Sequence, residues 1–382
     1  MVGDGLHLDD LVTPALIVDR NRLVANISEM AARTRALGVA LRPHAKTHKS
    51  PAIAELQREH GAIGLTVATL TEAEGFADEG VDDLLLTAPP VGEWRLERLV
   101  ALARRARVRV AVDSVEVVAA LDRACARHGA EVGYVWEVDC GVGRFGTPPG
   151  TASAEPIAEA VGATTHASFD GLLTFGGHAY AATTPDEIAA AADDEHEAIT
   201  QTVTALANSG IEVAVRSAGS TPTSHAMRSA EGITELRPGN YVFYDATQVA
   251  LGVVGPERCA LAVLGTVTSR PAPDRLILDS GSKALAAERL STLTPGFGRI
   301  EGHPGLRVDR LYEEQAIVHS DDPCQIPVGA RLRVIPNHAC AAANLHSQMF
   351  VVDGDVVVDE WPVATREWTE IEAERRPEWN TR

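Results

Sequence analysis

Between residues 20 and 245 the chain alternates two hydrophobic patterns. One is short, apolar and rich in β-branched residues. The other is longer, Ala-rich and charged. The short runs read VALRPHAK, GLTVAT, DLLLTAP, VRVAVDS, GYVWEVD, GLLTFGG, VAVRSAG and ITELRPG, eight in all. The stretches between them read as helices. RNRLVANISEMAARTRALG places Leu23, Ile27 and Met30 at three-and-four spacing, the mark of one helical face. TPDEIAAAADDEHEAITQTVTALANSG opens on Thr-Pro-Asp-Glu and stops at Gly210, a helix start and a helix stop. Strand–helix alternation implies a parallel sheet, and eight repeats predict a (β/α)8 barrel. A doubly wound open sheet is the rival. That fold carries a glycine fingerprint after its first strand, whereas this position holds RPHAKTHK.

After about residue 255 the texture changes. CALAVLGTVTSR, RLILDSG, GARLRVIPNH and MFVVDGDVVVDEW read as strands between Pro/Gly turns, with VDGD as a hairpin signal. Little helix is expected before a final TEIEAERRPEW, and the last dozen residues read as loosely held. The pattern predicts a barrel over residues 15–250. It also predicts a mostly antiparallel β domain built from 251–382 and 1–14, with the early TPALIVD joining or neighbouring that domain.

The chain has 382 residues, 45% of them hydrophobic and 23% charged, the mix of a soluble globular protein. Its net charge of −19 argues against binding nucleic acid. No apolar run approaches a membrane span, and MVGDGLHLDD has neither the basic nor the apolar region of a signal peptide. Five scattered cysteines suit a reducing cytoplasm better than a disulfide framework.

Barrel function gathers at the C-terminal ends of strands. The first strand ends in Arg42-Pro43-His44-Ala45-Lys46-Thr47-His48-Lys49. If the strand persists, His44, Lys46 and His48 project to one side. Cationic neighbours disfavour the charged amine, which suits a Schiff-base lysine; taken alone, the run also reads as a basic surface loop. SAGSTPT after the seventh strand, with Gly239-Asn240 after the eighth, could hold a phosphate or be an ordinary loop. His338 and Cys340, at i and i+2 beyond RLRVIP, are ligand types that zinc favours, or simply core residues. Arg144 follows a Gly-x-Gly turn that could aim it inward at an anionic oxygen; its plain alternative is a surface arginine. His178 and Tyr180 could be acid–base groups or packed rim residues.

Six motifs occur in order: Arg-Pro-His-Ala-Lys-Thr-His-Lys, Asp-Cys-Gly-Val-Gly-Arg-Phe-Gly, Gly-Gly-His-Ala-Tyr, Gly-Ser-Thr-Pro-Thr, Glu-Leu-Arg-Pro-Gly-Asn-Tyr and Pro-Asn-His-Ala-Cys. Together they resemble the D-threonine aldolase / D-serine dehydratase family, with the alanine-racemase-type barrel of pyridoxal-phosphate enzymes. The resemblance runs from about residue 10 to 366. It implies that Lys46 carries pyridoxal phosphate and that Arg144 bonds the cofactor's phenolic oxygen. Ser217, Gly219, Ser220, Thr221, Gly239 and Asn240 would cradle the phosphate, with Tyr180 and Tyr241 close by. His338 and Cys340 would hold a divalent metal, zinc or else manganese. It further implies a homodimer, with the active site near the junction of barrel and β domain.

The implied chemistry is loss of a group from Cα, with the cofactor ring as electron sink and the metal as Lewis acid on the substrate's β-hydroxyl. If Lys46 takes the α-proton and the hydroxyl leaves, the products are a 2-oxo acid and ammonia. If His178 or a metal-bound water takes the hydroxyl proton, the Cα–Cβ bond breaks to glycine and an aldehyde. His-x-Cys resembles the dehydratase side, and His-x-Asp the aldolase side. Leu311-Tyr312-Glu313-Glu314-Gln315 departs from the Ser-Glu-Glu-His of the family, which bears on substrate specificity. The expectation is a dehydratase acting on D-3-hydroxy amino acids, with the aldolase as alternative. An amino-acid racemase and a non-catalytic cofactor carrier are the remaining rivals; a carrier has no use for a long β domain or for His338 and Cys340.

Overall fold

A computed structural model describes residues 5–365. Strand β1 (Ala15–Asp19) leads directly into helix α1 (Arg20–Leu37), which Asp19 caps by accepting the Arg22 N–H at 3.0 Å. Strand–helix pairs follow: β2 (Ala40–Leu41) and α2 (Pro51–Glu59), β3 (Leu65–Val67) and α3 (Leu70–Asp78), β4 (Asp83–Leu86) and α4 (Glu93–Leu102), β5 (Arg107–Val112) and α5 (Val115–His128). Next come β6 (Val132–Glu137) and α6 (Thr151–Ala163), β7 (Ala167–Leu173) and α7 (Pro185–Ala207), β8 (Val215–Ala218) and α8 (Thr221–Ala226), then β9 (Glu235–Leu236) and α9 (Ala246–Ala250).

Strands β2 to β9 form one eight-stranded parallel sheet in the order 2-9-8-7-6-5-4-3. The ends of the sheet meet: the Thr66 N–H donates to Pro43 O at 2.8 Å, and the Ile63 N–H to Leu41 O at 2.9 Å. The sheet is thereby a closed barrel, and each of the eight apolar runs supplies one of its strands. Side chains alternate as a strand's period of two requires. Leu84, Leu86, Val110, Tyr134 and Trp136 pack outward against the helices, while Leu85, Ala111, Val135 and Leu173 form a cluster of their own inside.

The lumen also holds charge. Arg42, 2% exposed, bonds Asp83 at 2.6 Å and Glu235 at 2.9 Å. Arg109 joins Asp83 at 3.2 Å and Asp170 at 2.6 Å. Gly133 fits between them because a Cβ there would stand 2.5 Å from Asp170 Oδ2.

The remaining strands are β10 (Leu261–Ala272), β11 (Arg275–Leu278), β12 (Gly298–Ile300), β13 (Leu306–Leu311), β14 (Ala316–Ser320), β15 (Arg331–Pro336), β16 (Gln348–Asp353) and β17 (Val356–Pro362). Six of them close an antiparallel ring, 10-11-14-13-12-15. The free edge of β10 continues into β1, β16 and β17, and VDGD is the turn between β16 and β17 as read.

Two expectations are corrected here. Residues 15–19 lie in this second sheet, as expected of TPALIVD, so the barrel begins after them rather than at residue 15: β1 pairs antiparallel with β10 and parallel with β16. Both its faces are apolar and buried, which fits an interior strand. Helices also interrupt the β domain: α10 (Ser282–Leu285) and α11 (Ala339–Leu345). The expected terminal helix and loose tail lie outside the described residues.

Candidate active site

Backbone pairing beyond β2 continues to His44, whose N–H donates to Pro238 O at 3.0 Å, and there the chain leaves the barrel ladder. It coils into a 3-10 turn, Ala45–Thr47, with His44 as its cap: the Lys46 N–H donates to His44 Nδ1 at 3.4 Å. His44, Lys46 and His48 therefore do not alternate along a strand. His48 turns back into the core, edge-on to Phe76 with ring centroids 6.1 Å apart, and burial pulls its pKa down to about 4.

Lys46 enters a cavity of about 190 Å³ lined by His44, Glu137, Arg144, Phe175 and Arg237 among others. Its Nζ lies 6.0 Å from the centroid of the Phe175 ring, and the Arg144 guanidinium lies 4.9 Å from the same centroid. Burial draws the Lys46 amine below the ordinary lysine range; Cys340 and Glu72 oppose this, Arg144 and Arg237 reinforce it. The imidazole of His44 is held well below its usual value by burial and by the Lys46 and Arg237 charges, so it stays neutral.

Arg144 is aimed by its loop. One oxygen of Asp139 accepts the N–H groups of Gly141, Val142 and Gly143 at 3.0, 2.9 and 3.1 Å. Gly143 takes the left-handed φ of 70° that this curl demands. A Cβ at Gly146 would stand 2.7 Å from the Asp139 nitrogen. Asp-Cys-Gly-Val-Gly-Arg-Phe-Gly is thus a folding instruction as well as a chemical one.

At the cavity floor Arg237 donates to Ser217 Oγ at 2.6 Å and to Thr174 O at 2.5 Å, and Ser217 Oγ donates to Glu235 at 2.6 Å. The Ser217 hydroxyl is committed inside the barrel, apart from the other residues expected to cradle phosphate. Those others do gather beside the Lys46 turn. Ser220 caps α8, and Thr221 Oγ1 accepts the Tyr241 N–H at 3.1 Å. A Cβ on Gly239 would stand 2.9 Å from Thr47 Oγ1 and 3.0 Å from His44 O, so the backbone here passes against the lysine turn. Among the described residues, Asn240 Oδ1 and Ser224 Oγ are buried without hydrogen-bond partners. Gly219 N–H is already taken at 3.0 Å by the buried Glu195, which also accepts Gly176 N–H at 2.6 Å.

The Tyr241 side chain points into the core, where its hydroxyl accepts from Gln57 at 3.0 Å. Tyr180 lies beside Thr221, Gln248 and Cys340, with burial raising its pKa. His178 stands on the rim, its Nε2 3.1 Å from Asp194 Oδ2 of α7, and does not line the cavity.

β15 ends at Pro336, so His338 and Cys340 are not strand neighbours. His338 precedes α11 and Cys340 lies in its first turn. They converge because the turn curls. His338 provides no side-chain cap; the buried Asp245 serves instead, accepting the Ala339 N–H at 2.9 Å and the Asn240 amide at 2.6 Å. His338 Nδ1 bonds the Glu288 carboxylate, and Cys340 Sγ lies 3.2 Å from Thr47 Oγ1. Burial opposes ionisation of both. Each nonetheless favours its charged form, because the Cys340 charge raises His338 and the His338 charge lowers Cys340. A soft thiolate beside an imidazole oriented by a carboxylate is a donor set suited to zinc. Among the described residues no group of three or more His, Cys, Asp or Glu converges as a metal cage.

Glu137, Phe175 and Arg237 also line the cavity, although the sequence analysis gives them no role. Their signal was position alone: a charged or aromatic residue at the end of a barrel strand. Burial outweighs Arg237 and Arg144 at Glu137 and pushes its carboxyl up to about 7.

A family model described as alanine racemase, N-terminal domain, matches residues 18–247, and a serine dehydratase domain model matches residues 260–352. D-threo-3-hydroxyaspartate dehydratase of Delftia sp. is 35% identical over 372 residues, 92% of this chain and 97% of that one. The chain belongs to the D-threonine aldolase and D-serine dehydratase family. Within this family it is similarly close to D-threonine aldolase of Arthrobacter sp., 34% identical over 367 residues, 95% of this chain and 94% of that one. A solved structure of the D-threo-3-hydroxyaspartate dehydratase, with a cysteine replaced by alanine and in a metal-free form, superposes with a TM-score of 0.88. It is 33% identical, covering 94% of this chain and 99% of that one.

Proposed function

We propose that the protein is a pyridoxal-phosphate- and metal-dependent lyase acting on D-3-hydroxy amino acids, with dehydration to a 2-oxo acid and ammonia favoured. The observation that carries this reading is the convergence of Lys46 and Arg144 on one ring and one cavity, with Cys340 held against the adjoining Thr47. The residues fit the cofactor: a buried amine of lowered pKa, a guanidinium, and a close-approach backbone at Gly239 flanked by the orphaned Asn240 oxygen.

Lys46 would carry the cofactor and Arg144 would hold its phenolic oxygen. Ser220, Thr221, Gly239 and Asn240 would hold its phosphate, with Tyr180 alongside, while Gly219, its N–H given to Glu195, would shape the turn. Pyridoxal phosphate supplies an electron sink for charge at Cα. His338 and Cys340 would hold a divalent metal, zinc by the softness of the thiolate, and leave its other positions open to water and to the substrate's β-hydroxyl.

Lys46 is the base for the Cα proton, since its neutral amine is accessible at lower pH than in an ordinary lysine. Retro-aldol cleavage needs instead a base for the β-hydroxyl proton. His178, the residue considered for that task, is paired with Asp194 at 3.1 Å, while the His-x-Cys pair at 338 and 340 resembles the dehydratase side. The Arthrobacter relative keeps the aldolase as the second reading.

We also infer a homodimer, as the family resemblance implies. A cytoplasmic location is supported by five free cysteines. Among the described residues, no helix is long and apolar enough to cross a membrane.

Borohydride reduction followed by digestion should leave the pyridoxyl group on Lys46; a tag on another lysine overturns the assignment. D-threonine should give 2-oxobutanoate and ammonia. Glycine and acetaldehyde without 2-oxobutanoate would refute the dehydratase branch, and chelator-insensitive exchange of enantiomers would point to a racemase.

A further inference from the structure

The cofactor amine and the metal-ligand pair come from different domains, and two contacts hold them in register. α11 presents Cys340 and Asn344 one turn apart on the same face. Opposite lies the run Lys46–Lys49. Thr47 Oγ1 stands 3.2 Å from Cys340 Sγ. Lys49 Nζ lies 2.8 Å from Asn344 Oδ1 and 3.3 Å from Glu72 Oε1.

Lys49 is buried, and so is Glu72. The backbone at Lys49 is left-handed, with φ of 49°. That conformation strains a lysine backbone, and the side chain's two polar contacts offset the strain. The other oxygen of Glu72 accepts the Ala68 N–H at 2.7 Å, and Ala68 is part of the cavity wall. A continuous polar path therefore runs from that wall through Glu72 and Lys49 to the helix that bears Cys340.

We propose that Lys49 and Asn344 form an interdomain clamp that positions Cys340, and with it the metal-ligand pair, against the Lys46 turn. The inference rests on reading His338 and Cys340 as metal ligands. Lys49 is a positioning residue: it acts through α11 and reaches neither substrate nor cofactor. A purely structural role would lower thermal stability without changing the metal site selectively.

The test is Zn2+ affinity of the holoenzyme, measured by competition with a chromophoric chelator, alongside cofactor absorbance and Tm. Asn344→Leu leaves Lys49 its Glu72 partner and should weaken Zn2+ binding about tenfold or more, with the cofactor absorbance kept. Lys49→Met should lose at least as much. Asn344→Asp returns an oxygen to the Lys49 amine and should recover wild-type affinity to within about threefold. An Asn344→Leu protein whose Zn2+ affinity stays within about twofold of wild type overturns the clamp. So does a loss that follows Tm alone and is not recovered by Asn344→Asp. A wild-type holoenzyme that binds no Zn2+ refutes the metal-ligand reading itself, and the clamp with it; the parent protein reports that failure, and the variants report the clamp's.

Discussion

Glu137 offers a direct test of how the cavity treats charge. Its carboxyl ends β6 and is only 5% exposed, with the Arg144 and Arg237 charges near it. Burial is the largest influence and outweighs both arginines, so the carboxyl rises from 4.5 to about 7. The unfolded chain releases this proton near 4.5, whereas the folded chain keeps it until about 7. Below the lower value the group is neutral in both states and costs nothing. As pH rises through the window, the unfolded state loses its proton first and folding stability falls. Above the upper value the loss is complete. A pKa gap of about 2.5 corresponds to about 3 kcal/mol.

Glutamine cannot titrate. The stability of cofactor-free Glu137→Gln minus that of cofactor-free wild type should therefore increase by about 3 kcal/mol between pH 4 and pH 8, mostly between 4.5 and 7. Urea denaturation of both proteins across that range gives the difference. Removing a carboxylate from beside two arginines adds an offset, but arginine does not titrate here, so the offset leaves the slope untouched. A flat difference refutes the reasoning. So would a difference that falls with pH, since it would mean that the arginines prevail over burial.

Arg42→Met strips the 2.6 and 2.9 Å partners from Asp83 and Glu235. It should cost about 3–5 kcal/mol in urea denaturation, the penalty of an uncompensated buried charge. Gly239→Ala drives a methyl against Thr47 Oγ1 and the His44 carbonyl. It should weaken pyridoxal phosphate binding about tenfold in a fluorescence titration, because the lysine turn must shift while the barrel core is untouched; unchanged affinity would remove Gly239 from the cradle.

The barrel was legible because its strands are covered on both faces and so write themselves as continuous apolar runs. The β1 boundary was harder to see. TPALIVD has the same apolar texture as a barrel strand; its pairing with β10 and β16 meets the expectation that it joins the β domain, while the boundary drawn at residue 15 falls before it. The lumen charges were invisible for a related reason. Arg42, Asp83, Arg109 and Glu235 read singly as strand-end or surface charges, and only ring closure shows that they neutralise one another. The geometry around Lys46 and around His338 and Cys340 misled the period-of-two argument, because both segments leave their strands a residue or two early. The two segments nonetheless meet, with Thr47 Oγ1 3.2 Å from Cys340 Sγ. Residue type survived where the local conformation behind the argument did not.

That outcome has a physical source in how the two domains join. α1 follows β1 without a linker. Leu23, Ile27 and Met30 of α1 and Ile53 of α2 share one buried cluster with Leu261, Val263, Val334 and Met349 of the β domain. Such a junction is a packed core rather than a hinge, and packed cores admit few alternative arrangements. The Lys46 turn and the start of α11 are consequently brought together by apolar packing on a large scale. The polar contacts from Thr47 to Cys340 and from Lys49 to Asn344 need only set the final register. Sequence motifs at the ends of distant strands can point to the same site because the bulk of the chain fixes their approach, whatever local turn each motif adopts on arrival.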